Sequence, residues 1–280
     1  MNFLRLSLLG LLPASLFAEL PQQGLLLDLD AARGVQVAAD QRVTEWRNQA
    51  PGQSARLFLP QDQGRKQAGE GRPTLRAEVP ELKGLPALVF RQQELVCADE
   101  DTFDGLSTGK GHTWIAILAV HPQRVGLKDV NSFFGNLRNG KRCEGIWGCL
   151  DDDNRLWWGA RNGLTFGRFD ANNPKIEGPK LEPGGFHLVA GRMAAGADLA
   201  KLELFVDSSK AVAAGGVPVN PKADPSKLVI GQERDAIEHP GFESFDGEIA
   251  RFLIWERPLS DEELRGTVAD LMARYGLKTP

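Results

Sequence analysis

Two rhythms of apolar residues divide this chain. Up to Trp255 they fall in short runs closed by Gly, Pro or acidic clusters, which predicts strands and turns; beyond Pro258 they recur at helical spacing. Gly24–Asp30 (GLLLDLD) predicts a first strand, and Val43–Asn48 a short strand running into a turn. His112–Val120 (HTWIAILAV), bounded by Gly111 and Pro122, is so continuously apolar that it predicts a central strand buried on both faces. Asn131–Leu137 predicts another strand, and Asp151–Asn154 a polar turn with strands on both sides. Arg155–Arg161 (RLWWGAR) alternates. Leu156, Trp158 and Ala160 share one face and belong to a core, while Arg155, Trp157, Gly159 and Arg161 share the other. Phe186–Met193 and Lys201–Asp207 follow. In the second, Leu202, Leu204 and Val206 oppose Lys201, Glu203 and Asp207, the pattern of a half-exposed strand. A short run, Leu228–Ile230, ends at Gly231, and Gly247–Trp255 is a long apolar strand that Pro258 breaks. Ser260 and Glu263 then form an S-x-x-E capping box ahead of a helix whose apolar face is Leu264, Val268, Leu271, Met272 and Tyr275, with Gly276 as its stop.

The first residues have a different character. Arg5 precedes a short apolar core, Leu6–Leu12, and small residues lead to Ala18, which predicts a secretory signal peptide over residues 1–18. The run is too short for a stable membrane anchor, no Cys near the cut suggests a lipid, and no later segment is apolar enough to span a bilayer. The chain is therefore expected to be exported, periplasmic or extracellular. Residues 19–280 are expected to form a single domain, since about 260 residues lies within the range of one all-β sandwich. The formal net charge of -4 comes without any basic stretch interleaved with aromatics, so nucleic acid is not an expected partner. Cys97, Cys143 and Cys149 allow at most one internal disulfide. Gly145 and Gly148 could turn the chain back and make Cys143–Cys149 that pair; on one straight strand the two sulfurs could not meet. Cys97 is expected as a small buried hydrophobe in a strand, and Trp46 as a wedge at the core edge.

The end of the chain resembles laminin-G-like, concanavalin A-like jelly-roll domains. The matching pieces are Ile230–Gly231, the F-x-G-x-I of Phe245–Ile249, the Leu-Ser-Asp-Glu-Glu step of Leu259–Glu263, and Arg274-Tyr275-Gly276-Leu277. Upstream, a V-x-x-W segment (Val43–Trp46), Arg72-Pro73-Thr74-Leu75 and Leu85–Phe90 are similar to segments of exported bacterial jelly rolls. His187, Val189 and Ala190 fit a W-H-x-V-A pattern, and Leu204, Val206 and Asp207 an L-x-x-Y-V-D-G pattern; Phe186, Phe205 and Ser208 depart from them. The resemblance implies an all-β antiparallel sandwich with one C-terminal helix. Because one fold hosts many chemistries, function has to be argued from the site.

Four groups of residues carry candidate chemistry. Trp157 flanked by Arg155 and Arg161 would make a flat platform ringed by donors, on which a sugar could stack; the alternative is an Arg lying over Trp on a solvated face. Glu243, Asp246 and Glu248 form an E-x-x-D-x-E cluster. Glycoside hydrolases need two carboxylates at a set separation, but five positions put Glu243 and Glu248 on opposite faces of an unbroken strand. The family resemblance also implies one Ca²⁺ held by Asp side chains and carbonyls, with Asp28, Asp30 and Asp246 as candidates across neighbouring first and last strands, and Asp151–Asp153 as another. A lyase would need a Tyr or His base; Tyr275 is the sole Tyr and sits on the helix's apolar face, and His187 lies in a regular strand as a structural residue. No phosphate-binding glycine loop or H-E-x-x-H is present. The expectation is an exported, non-catalytic module that binds a polysaccharide or glycoconjugate. The alternatives are a glycoside hydrolase or lyase, and a structural or adhesive envelope protein.

Overall fold

The computed structural model describes residues 19–124, 130–138, 143–164, 173–234 and 241–278. The expected signal peptide, residues 1–18, lies outside them. In chain order the strands are β1 (Leu25–Asp30), β2 (Val35–Val37), β3 (Val43–Arg47), β4 (Leu57–Pro60), β5 (Thr74–Arg76), β6 (Ala87–Arg91), β7 (Leu95–Cys97), β8 (His112–Val120) and β9 (Asn131–Gly135). They continue with β10 (Glu144–Leu150), β11 (Arg155–Asn162), β12 (Lys175–Lys180), β13 (Phe186–Met193), β14 (Leu199–Val206), β15 (Ala211–Pro218), β16 (Val229–Ile230) and β17 (Asp246–Trp255). One helix, α1 (Asp261–Tyr275), closes the described chain.

The strands form two antiparallel sheets packed as a jelly-roll sandwich. The first sheet has the order β15-β14-β13-β8-β17-β6-β5, with β1 also paired to β17; the second has the order β12-β11-β10-β9-β16-β7-β4-β3-β2. A bulge near Ile249–Arg251 lets β17 take two partners along one edge: β6 runs beside Asp246–Ile249, and β1 beside Arg251–Trp255. β8 is buried along its whole length, as its composition predicts. Trp114, Ala116, Leu118 and Val120 point into the sandwich, where they meet Phe133, Phe134, Leu156 and Trp158 from the second sheet, while Ile115 and Ile117 point outwards. Trp46 and Cys97 are in this core too, and burial pushes the Cys97 thiol up from its ordinary pKa.

The outward face of the first sheet is covered by α1. Leu264, Val268, Leu271, Met272 and Tyr275 pack against Ile115, Ile117, Leu188, Leu253 and Trp255. Burial of each such side chain contributes about 1.5–3 kcal/mol. The Ser260–Glu263 capping box forms as predicted, and Gly276 ends the helix with a left-handed φ of 69°. Trp255 Nε1 donates to Pro21 O at 2.7 Å and so holds the N-terminal segment beside the helix.

The expected Cys143–Cys149 disulfide is not formed, and none of the three cysteines is in a disulfide. β10 continues straight from Glu144 to Leu150, which holds the two cysteines about 20 Å apart at 3.3 Å per residue. Gly148 does not turn the chain: a Cβ there would stand 2.4 Å from the Phe133 ring, so glycine admits that ring into the core. Cys149 Sγ instead lies 2.8 Å from Ser132 Oγ on β9.

Candidate functional site

Strand alternation carries Trp147, Cys149 and Trp157 to the outward face of the second sheet, opposite Ile146, Leu150, Leu156 and Trp158. The face agrees with the sequence reading, but the surface does not. Trp157 is only 1% exposed, packed at 5.6 Å and 83° against Trp147 in a cluster with Val130, Leu137, Cys143 and Cys149. The expected sugar platform on Trp157 is therefore corrected: a second indole, not singled out in the sequence, occupies its edge. Arg161 stacks 5.5 Å from the Trp147 ring, and Lys175 lies 5.4 Å from the Trp157 ring. Arg155 points to solvent, with Asp151 at 4.0 Å.

Beside this cluster the sheet carries charge where it is dry. Gly231 ends β16 at φ 94° and leads into Gln232, Glu233 and Arg234. Glu233 is buried, and desolvation, reinforced by Glu243, pushes its carboxyl well above the usual range. Arg234 reaches both acids, pairing with Glu233 and lying 2.6 Å from Glu243 Oε2; Arg161 adds a further positive charge near Glu233. A second buried pair, Arg65 with Glu94, lies nearby. The segment Gly241–Ser244 joins the two groups. A Cβ at Gly241 would lie 3.3 Å from Arg65 Nη1, Phe242 O accepts from Gln232 Nε2 at 2.7 Å, and Glu243 O accepts from Ser132 N at 3.1 Å. Phe242 itself is 51% exposed, the one aromatic among the described residues to present so much of its ring. Sequence reasoning missed Phe242, Glu233 and Arg234; the nearest signal was the Ile230–Gly231 stop, which marks where the strand gives way to this loop.

The other predicted residues are dispersed. Glu243 belongs to the second sheet's cluster, whereas Asp246 and Glu248 share the outer face of β17 in the first sheet. Asp246 is held bidentately by Arg124 at 2.6 and 2.9 Å, and Glu248 meets Arg76 at 3.1 Å and His121 at 3.3 Å. Burial works against the Glu248 carboxylate, but His121 and Arg76 outweigh it and keep its pKa low. The three candidate carboxylates thus do not converge on one substrate. Glu233 and Glu243 do meet, but through a direct side-chain hydrogen bond, closer than the ~5 Å or more a glycosidic bond needs between its acid and its nucleophile or base. His187 Nδ1 lies 2.7 Å from Asp207 Oδ2, while Asp207 Oδ1 accepts from Leu188 N, a lock on the β13–β14 pair that fits the structural role expected of it.

The expected calcium donors are already matched by arginines. First and last strands are neighbours, as expected, but Asp30 stands opposite Arg251, and Asp246 is five positions farther along β17, about 16 Å away. Arg251 binds both oxygens of Asp28 at 2.9 Å, and Asp30 accepts from Arg33 and Arg274. In the β10–β11 turn, Asp151 Oδ1 accepts from the backbone N–H groups of Asp153 and Arg155, and Asp152 Oδ1 from Asn131. Calcium requires six to eight oxygens free to face it; these sets, as arranged, do not fit that ion. Among the described residues no group of three or more His, Cys, Asp or Glu is arranged to hold a metal.

The fold and this face can be set beside known proteins. The laminin-G-type profile of the concanavalin A-like lectin/glucanases superfamily matches residues 120–265, more than half the chain, and the chain belongs to that superfamily. No curated protein sequence matches it. Among solved structures, Trypanosoma rangeli sialidase in complex with sialic acid superposes with a TM-score of 0.53 at 15% identity, over 94% of this chain and 35% of that one. A mutant of the same sialidase displaying trans-sialidase activity gives 0.53 at 14%, over 91% and 34%. The CBM40 of Ruminococcus gnavus IT-sialidase bound to α2,3-sialyllactose gives 0.46 at 15%, over 65% and 95%. The chain spans about a third of the length of the sialidases. At such identities the likeness is one of fold. Among the described residues no helix is long and apolar enough to cross a membrane.

Proposed function

We propose that this protein is an exported, non-catalytic module that binds glycan through the shallow surface around Phe242. The half-exposed Phe242 ring carries the reading: every described Trp is buried, yet this ring stands open beside Arg65, Arg234 and Glu243 in a member of a lectin and glucanase superfamily. An apolar ring next to fixed donors and acceptors matches the two faces of a sugar. The signal-peptide pattern of residues 1–18 supports export.

The test is retention of the secreted chain on a panel of polysaccharides, beside a Phe242→Ala variant, with the same mixtures assayed for new reducing ends. Wild type is expected to bind at least one polysaccharide without releasing sugar. Phe242→Ala is expected to weaken that binding about tenfold, the equivalent of a stacking contact of ~1.4 kcal/mol. Equal binding by the variant would move the site away from Phe242. New reducing ends would overturn the non-catalytic reading and replace the module with a hydrolase.

A further inference from the structure

A cavity of about 590 Å³ opens on the other sheet, between β1, β17 and the second half of α1. Its floor is ionic. Arg251, 3% exposed at its side chain, grips Asp28, and Asp30 accepts from Arg33 Nε at 3.1 Å and Arg274 Nη2 at 3.0 Å, while Arg33 Nη2 reaches Asp28 at 3.3 Å. Three guanidinium groups therefore serve two carboxylates. Among the described residues no acceptor is hydrogen-bonded to Arg33 Nη1 or to Nε and Nη1 of Arg274. Tyr275 Oη is buried beside the same charges, also without a hydrogen-bond partner.

The walls add the rest of a recognition surface. Gln22 and Gln49 each donate their amide N–H to a neighbouring backbone carbonyl, which leaves both side-chain oxygens free to accept from hydroxyl groups. Leu25 and Leu271 offer apolar contact. At the rim Glu19, exposed, and Asp270, half-buried, are acids that would repel a second negative charge. We propose that this cavity binds a monosaccharide bearing one carboxylate, of the hexuronate class. On the cavity floor the carboxylate brings arginines and carboxylates to three against three and pairs with Arg33 and Arg274, in the geometry guanidinium groups favour. The hydroxyls meet the glutamine oxygens.

Titration calorimetry of the secreted chain with glucuronate and galacturonate tests this, with glucose, glucarate and sulfate as comparators. Arg33 is 52% exposed at its side chain, and its loss leaves two arginines matched to two aspartates, so Arg33→Gln is expected to fold with an unchanged melting temperature. Saturable binding of a hexuronate is expected, at least tenfold tighter than glucose or the doubly charged glucarate. It should weaken at least tenfold in Arg33→Gln and in Arg274→Gln, and stay the same in Phe242→Ala. No saturable hexuronate binding by wild type, equal affinity for glucose, or unchanged affinity in both arginine variants would overturn the proposal. Because Phe242→Ala tests only the surface of the second sheet, the two sites fail or stand separately.

Discussion

At the scale of single residues, the buried ionisable groups have the clearest consequences. His112 begins β8 fully enclosed, its ring 5.6 Å from that of Trp158, and burial drives its pKa from 6.5 down to about 4. Above pH 6.5 folded and unfolded chains both hold a neutral imidazole, so the group is indifferent to pH. As pH falls from 6.5 towards 4, only the unfolded chain takes up the proton, and stability drains across that window by roughly 3 kcal/mol before levelling off. Urea unfolding between pH 4 and 7 should show this slope, and His112→Gln should flatten it; an unchanged slope in the variant would assign the loss to other groups. Trp157 shows the limit of residue-scale reading. Period-two alternation places it on the correct face, but burial depends on what packs there from elsewhere in the chain, and Trp147, Cys143 and Leu137 carry no local mark of doing so. Phe242 is the converse: an apolar residue in a polar loop has no periodicity to betray that it stays exposed.

At the scale of elements, legibility follows how far each segment depends on itself. Helix α1 was readable in full, because its cap, its apolar stripe and its stop are all local signals. The capping box also leaves a measurable trace. Arg257 and the Ser260 backbone hold the Glu263 carboxyl down to about 2. Ser260→Ala removes one half of the box and is expected to cost about 1 kcal/mol, read as a shift in the urea midpoint with no change in slope; a loss below a few tenths would mean that Leu264 and its neighbours fix the helix start unaided. The central strands β8, β11, β13 and β17 were equally plain, since their long apolar or alternating runs satisfy one rule throughout. β2, β5, β7 and β16 are two or three residues long and exist because longer neighbours offer hydrogen-bond partners. Edge strands β12 and β15 were hidden for another reason: KIEGPK contains Gly and Pro, and AVAAGGVP has side chains too small to show a face.

Across the whole molecule, three apolar layers are stacked through two sheets, one between the sheets, one under the helix and one on the far side. The resemblance at the C-terminal motif was enough to foresee the sandwich, because that motif builds β17 and α1, around which the first sheet is arranged. The sites were less legible because each is assembled from distant segments: Arg65, Glu94, Arg234 and Glu243 at one, Asp28, Arg251 and Arg274 at the other. Arg251 is buried and depends on β1 for both of its acids. A chain lacking residues 19–33 would leave that guanidinium unpaired in a dry site, at a cost of about 3–5 kcal/mol beyond the lost apolar burial. It is expected to lose its cooperative thermal transition altogether; a truncated chain that still melts sharply would show that β1 is an accessory to the sandwich and not part of its frame.

The pairing of β1 with β17 also sets the order in which the molecule can come into being. Asp28 and Arg251 are 223 residues apart, so a strand made early in this sandwich is bound by one made late. While the ribosome is still at work, Leu25–Asp30 has nothing to pair with, and the first sheet lacks its middle until β17 arrives. Contacts of such long range make folding slow, in the millisecond-to-second regime of β-sandwiches or beyond. A nascent sandwich of this design stays open until β17 is made, and closes only when β1 and β17 find each other.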